Sequence, residues 1–205
     1  MMVEDPMNDI NVTRWPVFIL GNYRSGSNLL GRHIAHCYNA KWLNEPTRGG
    51  RLADFLEFYK TGNKHFVLKV MPDQLGLLKE VDETFASDCF KIKIQRKNTI
   101  DQIVSHYIST KTNTWVQRTK NTEPYSVECI DYKILNWVAN VIDINNKYLD
   151  TTDTNFDYSL FYEDLDISGE EIDFYKISKP TNFEEIYKEI QKWYIFRLTN
   201  TVTLL

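Results

Sequence analysis

The sequence has few of the residues that build cross-linked or metal-stapled folds. Its 205 residues include only three cysteines, Cys37, Cys89 and Cys129, and no CxxC pair. This spacing excludes a disulfide framework and gives no zinc-binding pattern, so we expect no metal site. Unpaired cysteines of this kind are typical of a reducing compartment.

Long apolar runs and a surplus of basic charge are also missing. No stretch of 18 apolar residues occurs, so the sequence predicts no membrane span. Residues 1–16 are polar and acidic, unlike a secretory signal, and we expect a cytoplasmic protein. Lys and Arg number 24 against 28 Asp and Glu, a formal net charge of −4 that disfavours nucleic acid as a partner.

What the sequence does contain is a globular composition. Hydrophobic residues make up 42% and charged residues 25% of the chain, as in soluble folded domains. The length suits one domain, and no repeat or low-complexity linker divides it. We therefore expect a single domain over residues 1–205.

Short apolar runs alternate with helical patterns along the chain. Predicted strands cover residues 15–20, 65–71, 89–95 and 155–162, and predicted helices cover 28–38, 98–108, 126–149 and 183–194. This alternation predicts an α/β fold with a parallel sheet flanked by helices. The segments 39–63 and 110–125, rich in Gly, Thr, Asn and charge, are predicted to be active-site loops.

The most informative stretch is GNYRSGS at residues 21–27, between the first strand and the first helix. Its two glycines, Gly21 and Gly26, have the spacing of a Walker loop, but Ser27 stands where that loop has lysine. Arg24 supplies a cation inside the loop instead. Backbone N–H groups at a helix start attract anions, so the pattern predicts a site for one phosphate-like group. The alternative is an ordinary Gly/Ser turn.

A second basic segment, QRKNTIDQIVS, spans residues 95–105 at the junction of a predicted strand and helix. Arg96 offers a planar fork to phosphate oxygens, Lys97 follows it, and Ser105 adds a hydroxyl two turns into the helix. A basic pair before a helix is also typical of a solvated cap, so the segment alone leaves both interpretations open.

The stretch YRSGSNLL at residues 23–30 resembles the 5′-phosphosulfate loop of sulfotransferases that use 3′-phosphoadenosine 5′-phosphosulfate, or PAPS. With arginine in the loop it is most similar to bacterial trehalose-type, carbohydrate and tyrosine-type sulfotransferases. The resemblance implies a P-loop-like, three-layer architecture like that of nucleotide kinases. It also implies that the 5′-phosphate and sulfonyl oxygens are held by Arg24, Ser25, Gly26, Ser27 and Asn28.

The same resemblance assigns a 3′-phosphate site to the second basic segment. Family members place an arginine at the strand end and a serine in the following helix, here Ser105. The family spacing of eight residues falls on Lys97, whereas Arg96 lies nine residues before Ser105. Either cation, or both, can therefore serve.

Weaker correspondences follow in the family's order. Glu45, within WLNEP at 42–46, corresponds to the catalytic base, with His33 and His36 as alternatives more typical of a helix surface. Lys69 lies in an apolar strand at 66–71 that resembles a family strand, and we expect it to stabilise the leaving group. FYEDL at 161–165 resembles a structural family motif whose carboxylates cap or pair.

Two features leave the adenosine pocket undefined. The GxxGxxK segment near the C-terminus of aryl sulfotransferases is absent. Trp115 can stack on a base or a sugar, or can simply fill the core.

The interpretation that unites these segments is a metal-independent sulfotransferase. It would transfer a sulfonyl group from PAPS to an acceptor hydroxyl on a saccharide, lipid, peptide tyrosine or small alcohol, releasing adenosine 3′,5′-bisphosphate. Two alternatives stay open, a nucleotide or nucleoside kinase with a degenerate P-loop and a nucleotide-binding module without catalysis.

Overall fold

The structure is a computed structural model that describes residues 10–45, 51–74, 89–115, 124–167 and 179–201. In these ranges the strands are β1 (Val17–Gly21), β2 (Lys41–Asn44), β3 (Phe66–Val70), β4 (Phe90–Gln95) and β5 (Tyr158–Phe161). The helices are α1 (Ser27–Cys37), α2 (Arg51–Lys60), α3 (Thr99–Thr112), α4 (Tyr132–Thr151) and α5 (Phe183–Thr201). Short 3₁₀ turns follow β3 and β5, at Pro72–Gln74 and Tyr162–Asp164.

The chain divides into two compact units. The first comprises Met1–Lys97 with Ile144–Ile172 and contains the sheet. The second comprises Asn98–Asp143 with Asp173–Leu205, and its regular elements in the described ranges are helices. The single domain expected over residues 1–205 stays a prediction.

The sheet of the first unit has the order β2-β3-β1-β4-β5, and each neighbouring pair is parallel. This confirms the predicted α/β fold with a parallel sheet. Strand β1 lies at the centre and every one of its residues is buried, as its unbroken apolar sequence predicts. Strand β4 alternates between buried and half-buried residues and is second from an edge.

Helices cover both faces of the sheet within the first unit. On one face, Leu30 and Ile34 of α1 belong to the same apolar cluster as Ile19 and Ile92. On the other face, Phe55 of α2 and the end of α4 pack with the remaining apolar residues of β1 and β3. The side chains alternate between the two faces because successive strand residues point in opposite directions. The resulting three layers are consistent with the P-loop-like architecture expected above.

The prediction of a loop over residues 39–63 is wrong, because β2 and α2 lie within it. Strand β2 has only four residues at the sheet edge, and its first residue is exposed, so its sequence is nearly as polar as a loop. Its central residues still alternate, with Trp42 in the cluster on the α1 side and Leu43 in the cluster on the other side. Residues 46–50 of this segment lie outside the described ranges.

The predicted helix at 126–149 begins later, at Tyr132. The carboxylate of Asp131 accepts hydrogen bonds from the N–H groups of Lys133 and Ile134, so it caps the helix there. The predicted loop 110–125 loses residues 110–112 to α3, and residues 116–123 lie outside the described ranges. Asn98 caps α3, since its side-chain oxygen accepts from the N–H groups of Ile100 and Asp101.

The second unit has its own apolar core. Buried residues from α3, α4 and α5 form one cluster, which includes Tyr107, Leu135 and Ile190. The three cysteines are free thiols, as the spacing predicts. None of the helices described is long and apolar enough to cross a lipid bilayer.

Candidate functional site

Most of the predicted site residues follow the carboxyl ends of strands in the first unit. Because all five strands are parallel, these ends share one edge of the sheet. The loop 22–26 follows β1, Glu45 follows β2, Arg96 follows β4 and Tyr162 follows β5. The strand order reverses between β1 and β4. From β1 the chain crosses to β2 on one side of β1, and from β4 it continues to β5 on the other side of β1. Ligands of open α/β sheets bind at such a switch point, which the loop 22–26 and Arg96 flank.

The loop 22–26 is a preformed tight turn. The N–H and hydroxyl groups of Ser25 both donate to the backbone carbonyl of Asn22, at 3.3 and 2.7 Å. Arg24 and Gly26 have left-handed backbones, with φ of 57° and 82°. A Cβ on Gly21 would lie 2.7 Å from the Ser25 hydroxyl oxygen, so glycine is required where the strand enters the turn.

Helix α1 starts directly after this turn with a positive end. Its N-cap is Gly26, no side chain caps it, and its first turn contains no acidic residue. The first N–H groups of an α-helix have no partner within the helix and carry the positive end of its dipole. The side-chain oxygen of Asn28 is buried there and makes no hydrogen bond in the structure. These features suit an anion.

Two arginines add positive charge at this place. Burial and, next, the positive charge of Arg96 lower the pKa of the partly buried Arg24 guanidinium to about 10, against a smaller opposite effect of Tyr162. An arginine pKa below its usual range means that the protein environment disfavours the charged form. A bound anion would remove that penalty, because it would attract both guanidinium groups.

Tyr162 links Arg96 to the loop. The Arg96 guanidinium carbon lies 4.5 Å from the centre of the Tyr162 ring, a cation–π contact. The same ring lies against Gly26, since a Cβ on that glycine would be 2.1 Å from a ring carbon. The Nε of Arg96 is buried without a hydrogen-bond partner and lies 3.6 Å from a carboxylate oxygen of Glu163. Arg96 is therefore held beside the loop by Tyr162 and Glu163.

Lys97 has different surroundings. Its ammonium donates to the carboxylate of Asp164, and its side chain is 53% exposed against 15% for Arg96. Its backbone N–H donates to Glu163 at 3.0 Å. The carboxylates of the FYEDL segment therefore pair, as predicted, and they give the two cations different positions. Arg96 interacts electrostatically with Arg24.

Glu45 and Lys69, predicted separately as base and stabiliser, form one buried ion pair. A carboxylate oxygen of Glu45 lies 2.6 Å from the Lys69 ammonium, and both side chains are less than 10% exposed. The pairing follows from register, because Asn44 at the end of β2 lies beside Lys69 on β3. Reasoning from the sequence missed the pair because it did not predict β2.

This ion pair has a chemical consequence. A carboxylate alone would repel a phosphate or sulfonyl group at the same sheet edge. The ion pair that it forms with the Lys69 ammonium carries no net charge. Burying such a pair is costly unless its geometry is good, which a separation of 2.6 Å provides.

The remaining predicted residues are less closely tied to the loop. His36 is exposed in the last turn of α1, about 13 Å along the helix axis from its first residue. His33 lies 3.4 Å from the Cys37 sulfur. Ser105 and Trp115 belong to the second unit, where Trp115 packs edge-on against His106 with ring centres 5.3 Å apart. That contact favours a packing role for Trp115, and the role of Ser105 stays a prediction.

Comparison with known proteins supplies no family for this chain. No protein-family model matches it, and no curated protein matches it. Among the residues that the structure describes, no group of three or more His, Cys, Asp or Glu side chains is placed to hold a metal ion.

Proposed function

We propose that the chain is a PAPS-dependent sulfotransferase that transfers a sulfonyl group to an acceptor hydroxyl. The observation that carries the proposal is the placement of Arg24 and Arg96 after two adjacent parallel strands, beside an uncapped helix start. A guanidinium group whose charge is disfavoured by burial and by a second guanidinium group suits a ligand with more than one anionic group.

PAPS supplies anionic groups at two positions of one molecule. In our proposal the 5′-phosphosulfate lies in the loop, where Arg24, the hydroxyl group of Ser27 and the first N–H groups of α1 hold it. The N–H and hydroxyl groups of Ser25 both donate to the carbonyl of Asn22, so Ser25 shapes the loop. The 3′-phosphate pairs with Arg96, whose planar fork suits phosphate oxygens. Lys97 stays a second candidate partner of that phosphate.

Transfer would proceed by attack of the acceptor oxygen on sulfur. The sulfur–oxygen bond to the 5′-phosphate breaks, and Glu45 takes the proton that the acceptor hydroxyl loses. Negative charge grows on the oxygen that leaves with adenosine 3′,5′-bisphosphate. Arg24, the loop N–H groups and the Lys69 ammonium would stabilise it, which is electrostatic stabilisation by groups already in place.

The Glu45–Lys69 pair also supports a second candidate, a module that binds the nucleotide without turnover. A buried carboxylate paired with lysine is a common structural feature, and a structural pair has no need of an acceptor. The two candidates make different predictions for Glu45. The sulfotransferase needs it for turnover, and the binding module does not.

The binding half of the proposal is tested with Arg24→Ala and Arg96→Ala. Affinities for adenosine 3′,5′-bisphosphate and adenosine 5′-monophosphate would be measured by calorimetry. Charge-assisted hydrogen bonds contribute about 1.5–3 kcal/mol, so each arginine should change an affinity by roughly 10- to 150-fold. Arg24→Ala should weaken both ligands, and Arg96→Ala only the bisphosphate.

Arg14→Ala is the matched control. Arg14 precedes β1, at the end of the strands opposite to the loop 22–26, and it pairs with Asp157. Arg14→Ala should leave both affinities unchanged. If Arg96→Ala left the difference between the two ligands unchanged, the 3′-phosphate would have to bind elsewhere.

The catalytic half is tested with Glu45→Gln, which keeps the shape and removes the basicity. Release of adenosine 3′,5′-bisphosphate from PAPS would be followed with a panel of hydroxyl acceptors. We expect kcat to fall by about 10²- to 10⁴-fold while bisphosphate affinity stays the same or improves. Binding without turnover on any acceptor would favour the non-catalytic module, and near-normal kcat in the variant would remove Glu45 from the mechanism.

A further inference from the structure

Asn22, the first residue after β1, is completely buried and its side chain is fixed on three sides. Its amide oxygen accepts from the backbone N–H of Tyr23 at 2.7 Å and from the side-chain amide of Asn145 at 3.1 Å. Its amide nitrogen donates to the side-chain oxygen of Asn146 at 2.9 Å. Asn145 and Asn146 are neighbours on α4, and all these residues belong to the first unit.

The direction of each hydrogen bond in this cluster is determined by the backbone. The N–H of Tyr23 can only donate, so the side chain of Asn22 must turn its oxygen toward it. Asn145, which faces the same oxygen, must then be a donor. Asn146, which faces the amide nitrogen of Asn22, must be an acceptor. Two adjacent asparagines therefore have opposite roles.

The cluster holds Asn22 in place, and the loop 22–26 depends on Asn22. The backbone carbonyl of Asn22 receives both hydrogen bonds of Ser25, and the turn between them holds Arg24 at a φ of 57°. Arginine rarely adopts this left-handed conformation, which persists only where its surroundings impose it. Moving Asn22 would release the turn, and the charge of Arg24 would no longer be held in one place.

We infer that Asn22 is a positioning residue for the loop 22–26, held by the donor Asn145 and the acceptor Asn146, and that this cluster sets the affinity of the loop for a phosphate group. The inference rests on the proposed function for the identity of the ligand. The arrangement of the loop itself does not depend on any ligand.

The test uses isosteric substitutions of the two neighbours. Asn146→Asp keeps an acceptor for Asn22, whereas Asn145→Asp replaces the donor by a carboxylate that faces the amide oxygen of Asn22. Both add the same charge at adjacent positions. Asn140→Asp, an exposed position on the same helix whose amide oxygen accepts from Arg197, controls for charge alone. Asn145→Ala removes the donor without adding charge and replaces Asn145→Asp if that variant does not fold.

Two measurements separate the inference from the proposed function. The first is amide hydrogen exchange of Tyr23 and Ser25 in the ligand-free protein, relative to Val17–Leu20 of β1. We expect Asn145→Asp to speed exchange at the two loop amides by at least tenfold while β1 is unaffected. Asn146→Asp and Asn140→Asp should leave the loop amides protected.

The second measurement is the affinity for adenosine 3′,5′-bisphosphate. Loss of one buried hydrogen bond is expected to weaken binding about tenfold, in Asn145→Asp and not in the exposed control Asn140→Asp. Equal effects of Asn145→Asp and Asn140→Asp on exchange and affinity would overturn the inference. If exchange changed as expected but the unsubstituted protein bound no bisphosphate, the positioning role would stand and the proposed function would fail.

Discussion

At the scale of single residues, the backbone singles out two side chains that the sequence motifs also suggest. In the described ranges, four residues other than glycine have positive φ, namely Arg24, Asn39, Glu45 and Asn113. Asparagine tolerates this conformation, but arginine and glutamate adopt it rarely. Such conformations concentrate at functional sites, so the strain supports a functional role for Arg24 and Glu45.

The lowered pKa of Arg24 predicts how binding depends on pH. Burial, with the charge of Arg96, lowers this pKa to about 10, so the guanidinium is charged at neutral pH and loses its proton above pH 10. The charge of a phosphate monoester is constant in this range. Bisphosphate affinity should therefore fall about tenfold between pH 9 and 11. Calorimetry should show no such fall in Arg24→Ala. An affinity that does not change with pH in the unsubstituted protein would contradict the role of Arg24 in binding the phosphate.

The two carboxylates after β5 allow a second prediction. Glu163 pairs with Arg96 and Asp164 pairs with Lys97. If Arg96 holds the 3′-phosphate, Glu163→Gln should alter bisphosphate affinity by severalfold, because it changes the support of that guanidinium. Asp164→Asn, the matched control on the same turn, should leave the affinity unchanged. A change in affinity in Asp164→Asn and none in Glu163→Gln would indicate that Lys97 holds the 3′-phosphate instead.

At the scale of elements, the return of the chain to Glu45 depends on the contact between α1 and β2. The ring of Trp42 lies against Gly31, and a Cβ on that glycine would be 2.0 Å from a ring carbon. Gly31→Ala should therefore destabilise the fold by about 1–3 kcal/mol, measured by urea unfolding. A Cβ on Gly62 would have no neighbouring atom within 4 Å. Gly62→Ala should therefore destabilise the fold only through its left-handed backbone conformation, by about 1 kcal/mol.

Elements with a strong pattern could be predicted from the sequence, and weakly patterned ones could not. The apolar strand β1, the Gly/Ser turn and the capped helix α3 follow from local signals alone. Strand β2 could not be recognised, because a four-residue edge strand needs the register of β3 to reveal its alternation. The ion pair of Glu45 with Lys69 was missed for the same reason, since residues 24 positions apart meet only through that register.

The Arg96 environment shows the same limit in a different form. The sequence left Arg96 and Lys97 as equal candidates, because spacing along the chain cannot say where two adjacent side chains point. Their orientation depends on Tyr162, Glu163 and Asp164, which lie more than 60 residues further along the chain.

At the scale of the molecule, the loop 22–26 lies in a chain of net charge −4. Attraction of a nucleotide must therefore come from local groups at one sheet edge rather than from the overall charge. A structural ion pair lies at the other end of the strands, where they begin. There Arg14 contacts both carboxylate oxygens of Asp157 at 2.6 and 2.7 Å.

That structural pair predicts the response of the fold to acid. Burial alone would raise the pKa of Asp157, but hydrogen bonds from the Lys91 N–H and from Arg14 outweigh it and hold the pKa below 3.8. The stabilisation is therefore complete above the ordinary pKa and is lost as the pH falls through the lowered value. Asp157→Asn should reduce the free energy of unfolding by about 1 kcal/mol at pH 7. In acid titrations, the difference should shrink as the pH falls below the ordinary carboxyl pKa, and a difference that does not shrink would refute the stabilising role of the Asp157 carboxylate.

The central claim is tested most directly by titrating the unsubstituted protein with adenosine 3′,5′-bisphosphate in the presence of EDTA, beside ATP with Mg²⁺. The account predicts a Kd on the order of micromolar for the bisphosphate, with a gain in unfolding free energy of about 2.7 kcal/mol at 100 times that Kd. Stabilisation by ATP with Mg²⁺ and none by the bisphosphate would contradict the account and favour a kinase.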